Sequence, residues 1–286
     1  MQVKTTISRF FKNNLRRRAE VRSGFAWVIS FLQGKRQRYI IAVCFLTALL
    51  YFSSWFRLGQ SGFIASFFLG LATGALFFIA NFQDIRGSFS ISLFVLPFFY
   101  SFSCGIFYSL VPDRMLTRII MTSFYGLGLY SLFLSQNIFT VASIRTIALL
   151  ASAKTVSLVL TIISYFFLIN VTFSLHTQLI TSGALVFAAS FFLIHHSLWV
   201  RTLNPLPIAN VLWTTTLASV MLEIGLIMWF WPSSPTIVAL FLTGIFYTIV
   251  GLTGVWFEKR LFRSVLWEYI WVSITVFFIL LLFTSW

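Results

Sequence analysis

Acidic side chains are the scarcest functional groups in this sequence, with only six Asp and Glu among 286 residues. Asp84, Asp113, Glu258 and Glu268 each stand alone near the end of an apolar run, and no two acids share helical spacing. Metal-assisted phosphoryl or glycosyl transfer needs acids that converge on a cation, so this scarcity argues against an enzyme. A Gly-rich phosphate loop with its Lys, an HExxH helix and a nucleophile elbow are all missing as well. Cysteine is nearly absent: Cys44 and Cys104 both sit in apolar stretches. Their expected depths in a membrane differ by about 12 Å, too far for a bridge. With no CxxC and no metal-spaced Cys/His set, the expectation is a chain without metal or cofactor. Charge of any kind is low at 9%, against about 25% in soluble domains, so water is not the main solvent of this surface.

What fills the chain is apolar: 59% hydrophobic residues, 36 of them Phe, with mean hydropathy +0.95. Barrel strands would alternate apolar and polar residues; these runs are continuous, so the fold class is an all-α polytopic transmembrane helical bundle. About nine spans are expected, near 39–56, 62–82, 90–111, 117–136, 155–175, 179–199, 208–231, 236–257 and 266–286. Trp231-Pro232-Ser233-Ser234-Pro235 marks a turn between spans seven and eight, because proline cannot continue a helix. Two small-residue faces, Ser66/Gly70/Gly74 and Gly244/Thr248/Gly251, are expected to let helices approach closely. Pro97 is expected to kink span three.

The net charge of +14 comes from 20 Lys and Arg. In a soluble chain that imbalance would suggest nucleic acid; beside apolar spans it points to anionic headgroups, and no nucleic-acid partner is expected. With the N-terminus inside, inner segments collect 17 of the basic residues and outer segments only Arg57, Arg114 and Arg118. The positive-inside rule therefore predicts a cytoplasmic N-terminus and an outside C-terminus, in a bacterial cytoplasmic (inner) membrane. Residues 1–38 carry half of the cations. They are expected to form a basic amphipathic arm broken near Ser23-Gly24, with Arg16, Arg17, Arg18, Arg22, Lys35, Arg36 and Arg38 at lipid headgroups. A frayed basic tail that only sets orientation is the alternative. The link 137–154, NIFTVASIRTIALLASAK, is too apolar for a solvated loop and too charged for a span. An interfacial helix capped at Asn137 or Thr140 fits it, and a re-entrant hairpin is the other form. The wording of this link and of Phe246–Leu266 (FYTIVGLTGVWFEKRLFRSVL) resembles a family of uncharacterised bacterial multi-pass membrane proteins. That resemblance covers the C-terminal half, implies membrane location and carries no functional residue across.

Span seven holds the one acid expected well inside a span, Glu223. A charge there costs about 2.5–3.5 kcal/mol on insertion scales. Thr215, Ser219 and Glu223 share a helical face, and Asn170 on span five lies at comparable depth. These four are the candidate intramembrane polar site, either as a sensitive site in a cavity or as a neutral carboxyl bonded across helices. His195 and His196 point about 100° apart, which disfavours a shared metal; both are expected near the membrane surface. His176 falls in a turn. Three functions stay open: a small permease lined by Glu223 and its neighbours, a scaffold or assembly subunit docked on anionic lipid or a membrane-protein partner, and a lipid-handling enzyme. The orientation is testable at once. In a chain with Cys44 and Cys104 changed to Ser, an impermeant maleimide added to intact cells should label Ser234→Cys and spare Arg145→Cys. The reverse pattern contradicts the charge count.

Overall fold

A computed structural model describes residues 34–53, 60–85, 90–112, 114–142, 149–202 and 208–284. Residues 1–33 of the basic arm, with Arg16, Arg17, Arg18 and Arg22, lie outside the described residues. The described residues form nine α-helices and no strand. They are α1 (Lys35–Ser53), α2 (Gln60–Ile85), α3 (Ser92–Leu110), α4 (Met115–Ala142), α5 (Leu150–Ser174), α6 (Leu179–Thr202), α7 (Ile208–Trp229), α8 (Pro235–Phe257) and α9 (Arg263–Leu282). The last eight are each long and apolar enough to cross a membrane. α1 differs because Lys35, Arg36 and Arg38 occupy its first turns; it lays Tyr39, Leu46 and Leu50 against α2 and α4.

The helices overlap the apolar runs, and their ends follow local chemistry. Pro235 starts α8 at the position where a missing N–H costs nothing. α8 stops at Lys259, whose φ of 54° is left-handed. There the Arg260 N–H bonds Val255 O and the Lys259 N–H bonds Trp256 O, a Schellman turn with lysine where glycine is usual. The link 137–154 is a correction to the sequence expectation. α4 runs on to Ala142, and the Thr140 hydroxyl donates back to Gln136 O inside the helix instead of capping a new one. α5 already begins at Leu150, so among the described residues no separate 18-residue interfacial helix is present; 143–149 lie between the two helices, and 143–148 of these are outside the described residues.

α3, α5 and α8 are the most buried spans, and α9 is the least. Large apolar side chains such as Phe68, Ile79 and Leu282 face outward, as in a bundle whose outer solvent is lipid. Hydrophobic burial drives little between helices in such a solvent, so close packing and internal hydrogen bonds carry the association. A chain of hydroxyls shows this: Thr73 donates to Ser101 Oγ at 2.8 Å, and Ser101 Oγ lies 2.9 Å from the Tyr125 hydroxyl, tying α2, α3 and α4. Thr248 and Ser273 join α8 to α9 at 2.8 Å. Of the small-residue face on α2, Ser66 and Gly70 are in use and Gly74 is open. A Cβ on Gly105 would stand 2.9 Å from Ser66 Oγ and 3.3 Å from its Cα, and one on Gly70 would meet the Phe98 ring at 2.9 Å. Nothing lies within 4 Å of a Cβ on Gly74. Gly105→Ala should therefore lose about 1–3 kcal/mol by overpacking a backbone approach. Gly74→Ala should be neutral or gain up to about 1 kcal/mol through helix propensity. Thermal unfolding of the two variants in detergent checks the contrast.

Candidate functional site

The four residues of the expected intramembrane site are not brought together. On α7 the buried stripe is Thr214, Ala218, Met221, Gly225 and Met228, packed chiefly on α6. Glu223 is two residues, about 200°, from Met221 and so points away from the bundle. Glu223 and Thr215 are exposed and Ser219 is half-buried; on their own helix the Thr215 hydroxyl donates to Val211 O and the Ser219 hydroxyl to Thr215 O. Asn170 is buried elsewhere: its amide donates to Thr236 Oγ1 at 3.2 Å, and Ser174 donates to its oxygen. Equal depth placed Asn170 and Glu223 at one level of the bundle, but helix rotation sends one inward and the other outward.

The polar groups that do converge lie at the end of the bundle where α5 begins and α6 and α8 finish. Lys154 stands on the second turn of α5, and Arg201 on the last turn of α6, where a cation suits the helix dipole. The Schellman turn after α8 directs Glu258 and Arg260 to the same place. Glu258 Oε1 accepts from Lys154 Nζ at 3.1 Å and from Arg201 Nη1 at 3.4 Å, so one carboxylate oxygen ties three helices. Gly254 makes room for this: a Cβ there would run into the Arg201 guanidinium. Partial burial pushes the Glu258 carboxyl up, but the Lys154 hydrogen bond and the Lys154, Arg201 and Arg260 charges outweigh it. The group is held below the usual carboxylate range. Around this centre opens a cleft of about 610 Å³ lined by Leu150, Ala151, Lys154, Thr155, Leu158, Arg201, Glu258 and Arg260. Three cations against one carboxylate leave it with two unbalanced positive charges, and Leu150, Ala151 and Leu158 add an apolar flank from α5.

A void of about 20 Å³ between Lys154, Ser157, Leu158, Ser197, Val200 and Arg201, room for one water, lies directly beneath the cleft. Ser157 leads inward to His196, which is fully buried. His196 Nδ1 lies 2.8 Å from the Ser92 carbonyl oxygen, which can only accept, so that nitrogen carries the proton. Nε2 then accepts in the neutral ring, with Ser157 Oγ at 3.3 Å and Gln136 Nε2 at 3.4 Å. His196 thus joins α3, α4, α5 and α6. This corrects the expectation of a surface histidine pair: only His195 is partly exposed, with Nε2 3.3 Å from Ser92 Oγ. Among the described residues no three His, Cys, Asp or Glu side chains could hold a metal ion.

Sequence reasoning treated Glu258 as an isolated acid because its partners are 104 and 57 residues away. The signal that was present is the charge count, by which Lys154, Arg201 and Arg260 are expected among the inner cations. The ion-paired centre carries a pH signature. A carboxyl lowered by folding contributes stability that is full above its unfolded value of about 4.3 and lost as pH falls through the lower folded value. Removing it by Glu258→Gln should therefore cost about 1 kcal/mol at pH 7. The gap to the parent protein should close as pH is taken below about 4, which melting curves at pH 7 and pH 3 will show.

Comparison with curated proteins and with solved structures returns no match. Residues 71–284 match a family described as "Protein of unknown function (DUF5656)", a longer stretch than the C-terminal half in which the resemblance was visible. From the start of the matched region in α2 to the end of α9, including every residue of the cationic cleft, the chain belongs to that family.

Proposed function

We propose that this is a membrane-embedded scaffold subunit that fixes the phosphate of an anionic lipid in the Lys154–Arg201–Arg260 cleft. The observation that carries the reading is the charge imbalance of the cleft: three cations share one carboxylate at the end of the spans. A phosphate would take up the hydrogen-bonding capacity of Arg201 and Lys154 that Glu258 leaves unused. The apolar flank of Leu150 and Leu158 suits acyl chains leaving the headgroup, and basic pockets between spans are a recurring way to hold such lipids. On the charge count the cleft faces the cytoplasm of a bacterial cell, where the arm 1–38 adds further cations to the same leaflet.

The permease reading draws on a different feature. Ser157, Thr161, Ser164 and Asn170 form a buried polar run along α5 from the cleft toward a second pocket of about 240 Å³ at the opposite end, lined by His176, Trp229 and Trp231. Midway, Tyr165 stacks on Phe246 at 4.1 Å and bonds Ser190, which closes the run. The two readings separate on the ligand. Native mass spectrometry of the protein from mixed lipid should show bound phosphatidylglycerol in preference to phosphatidylcholine. Lys154→Gln and Arg260→Gln should each weaken that preference about fivefold, at about 1 kcal/mol per cation. Glu258→Gln, which raises the net charge of the cleft, should strengthen it. No lipid preference, together with inorganic phosphate uptake into vesicles that these variants abolish, would favour the permease and sink the scaffold.

A further inference from the structure

The outward face of α7 presents the Glu223 carboxyl to the membrane, with no partner among the described residues. Glu223 is exposed and, among the described residues, makes no hydrogen bond or ion pair. It lies six residues before the end of α7 at Trp229, about 9 Å along the axis and so within the apolar layer. Neighbouring hydroxyls do not serve it: Thr215, Thr216 and Ser219 each donate to the carbonyl one turn before. Ionisable groups inside membranes face a bundle interior, a water-filled cavity or a partner. Glu223 faces neither the interior nor either pocket.

We infer that this face docks a transmembrane helix of a different protein, one that carries a Lys or Arg at matching depth. Charge complementarity selects this occupant. A second copy meeting across a two-fold axis on α7 would bring a second carboxyl and no cation. A second copy docking any other described span offers no free cation at that depth, because Lys35, Arg36, Arg38, Arg118, Arg201 and Arg263 sit in terminal turns and Lys154, one turn further in, is held by Glu258. The rest of the face is built for helix contact. α7 is less buried than α5, α6 or α8, and Val220 and Ile227 stand outward beside Glu223. Ser219 and Thr215 are small enough to let a partner backbone approach.

The test uses the full chain in phosphatidylcholine vesicles, with a fluorescence donor on the protein and an acceptor on synthetic single-span poly-Leu helices. One helix bears a single Lys about 9 Å from one end; its control has Leu there. The Lys helix should bind at least tenfold more tightly than the control, and Glu223→Leu should remove the difference while Glu223→Asp retains part of it. Glu223 is exposed and makes no hydrogen bond or ion pair among the described residues, so its variants should melt like the parent. Equal binding of the two helices overturns the inference, as does a Lys preference that survives Glu223→Leu. Energy transfer between differently labelled copies that disappears in Glu223→Leu also overturns it, assigning the face to a second copy instead.

Discussion

Lipid offers no hydrogen bonds, so every charge and buried polar group of this chain has to find its partner inside the bundle or at its ends. Glu258 answers that constraint where charge is densest. Its Oε1 holds Lys154 of α5 and Arg201 of α6, and the turn that follows α8 sets the carboxylate between them. The pair energies are modest because the groups are only partly buried. Their structural effect is larger, since one oxygen fixes the mutual position of three helix ends. Gly254 and the left-handed Lys259 are the backbone conditions for this arrangement.

Deeper in, the same constraint is met with neutral groups. His196 gives its proton to a backbone carbonyl and accepts at its other nitrogen, so the ring crosses four helices without carrying charge into the apolar layer. Hydroxyls bond back to their own helices or to one another, as Thr73, Ser101 and Tyr125 do. Such bonds contribute modestly one by one in a membrane. Together they specify which helix faces meet, a job that hydrophobicity cannot do when the outer surface is as apolar as the core. Glu223 is the exception, and its outward position is what gives it meaning.

How much of this was legible in the sequence follows from periodicity and distance. Span positions were legible because apolar runs and their proline and polar breaks are local, and α6 starts at Leu179 where Ser174–Gln178 ends the preceding run. The length of α4 was not, since Asn137 and Thr140 read as caps until the Gln136 carbonyl is seen to take the Thr140 hydroxyl. Depth could be counted along each helix, which put Glu223 and Asn170 at one expected level. Rotation could not, because α7 is apolar on nearly every side and shows no stripe to orient it. The cleft was hidden for a third reason: its members come from three helices, and only their shared side of the membrane was visible in the charge count.

The central claim is that a lipid phosphate sits on the cations that Glu258 organises. Solid-state NMR measures it directly through the dipolar coupling between lipid phosphorus and guanidinium nitrogens in bilayers containing phosphatidylglycerol. Assignment to Arg201 comes from the signal that Arg201→Lys removes. The account predicts a phosphorus–nitrogen separation within about 5 Å, the span of a charge-assisted contact. No coupling at Arg201, with phosphorus near the arm alone, would contradict it.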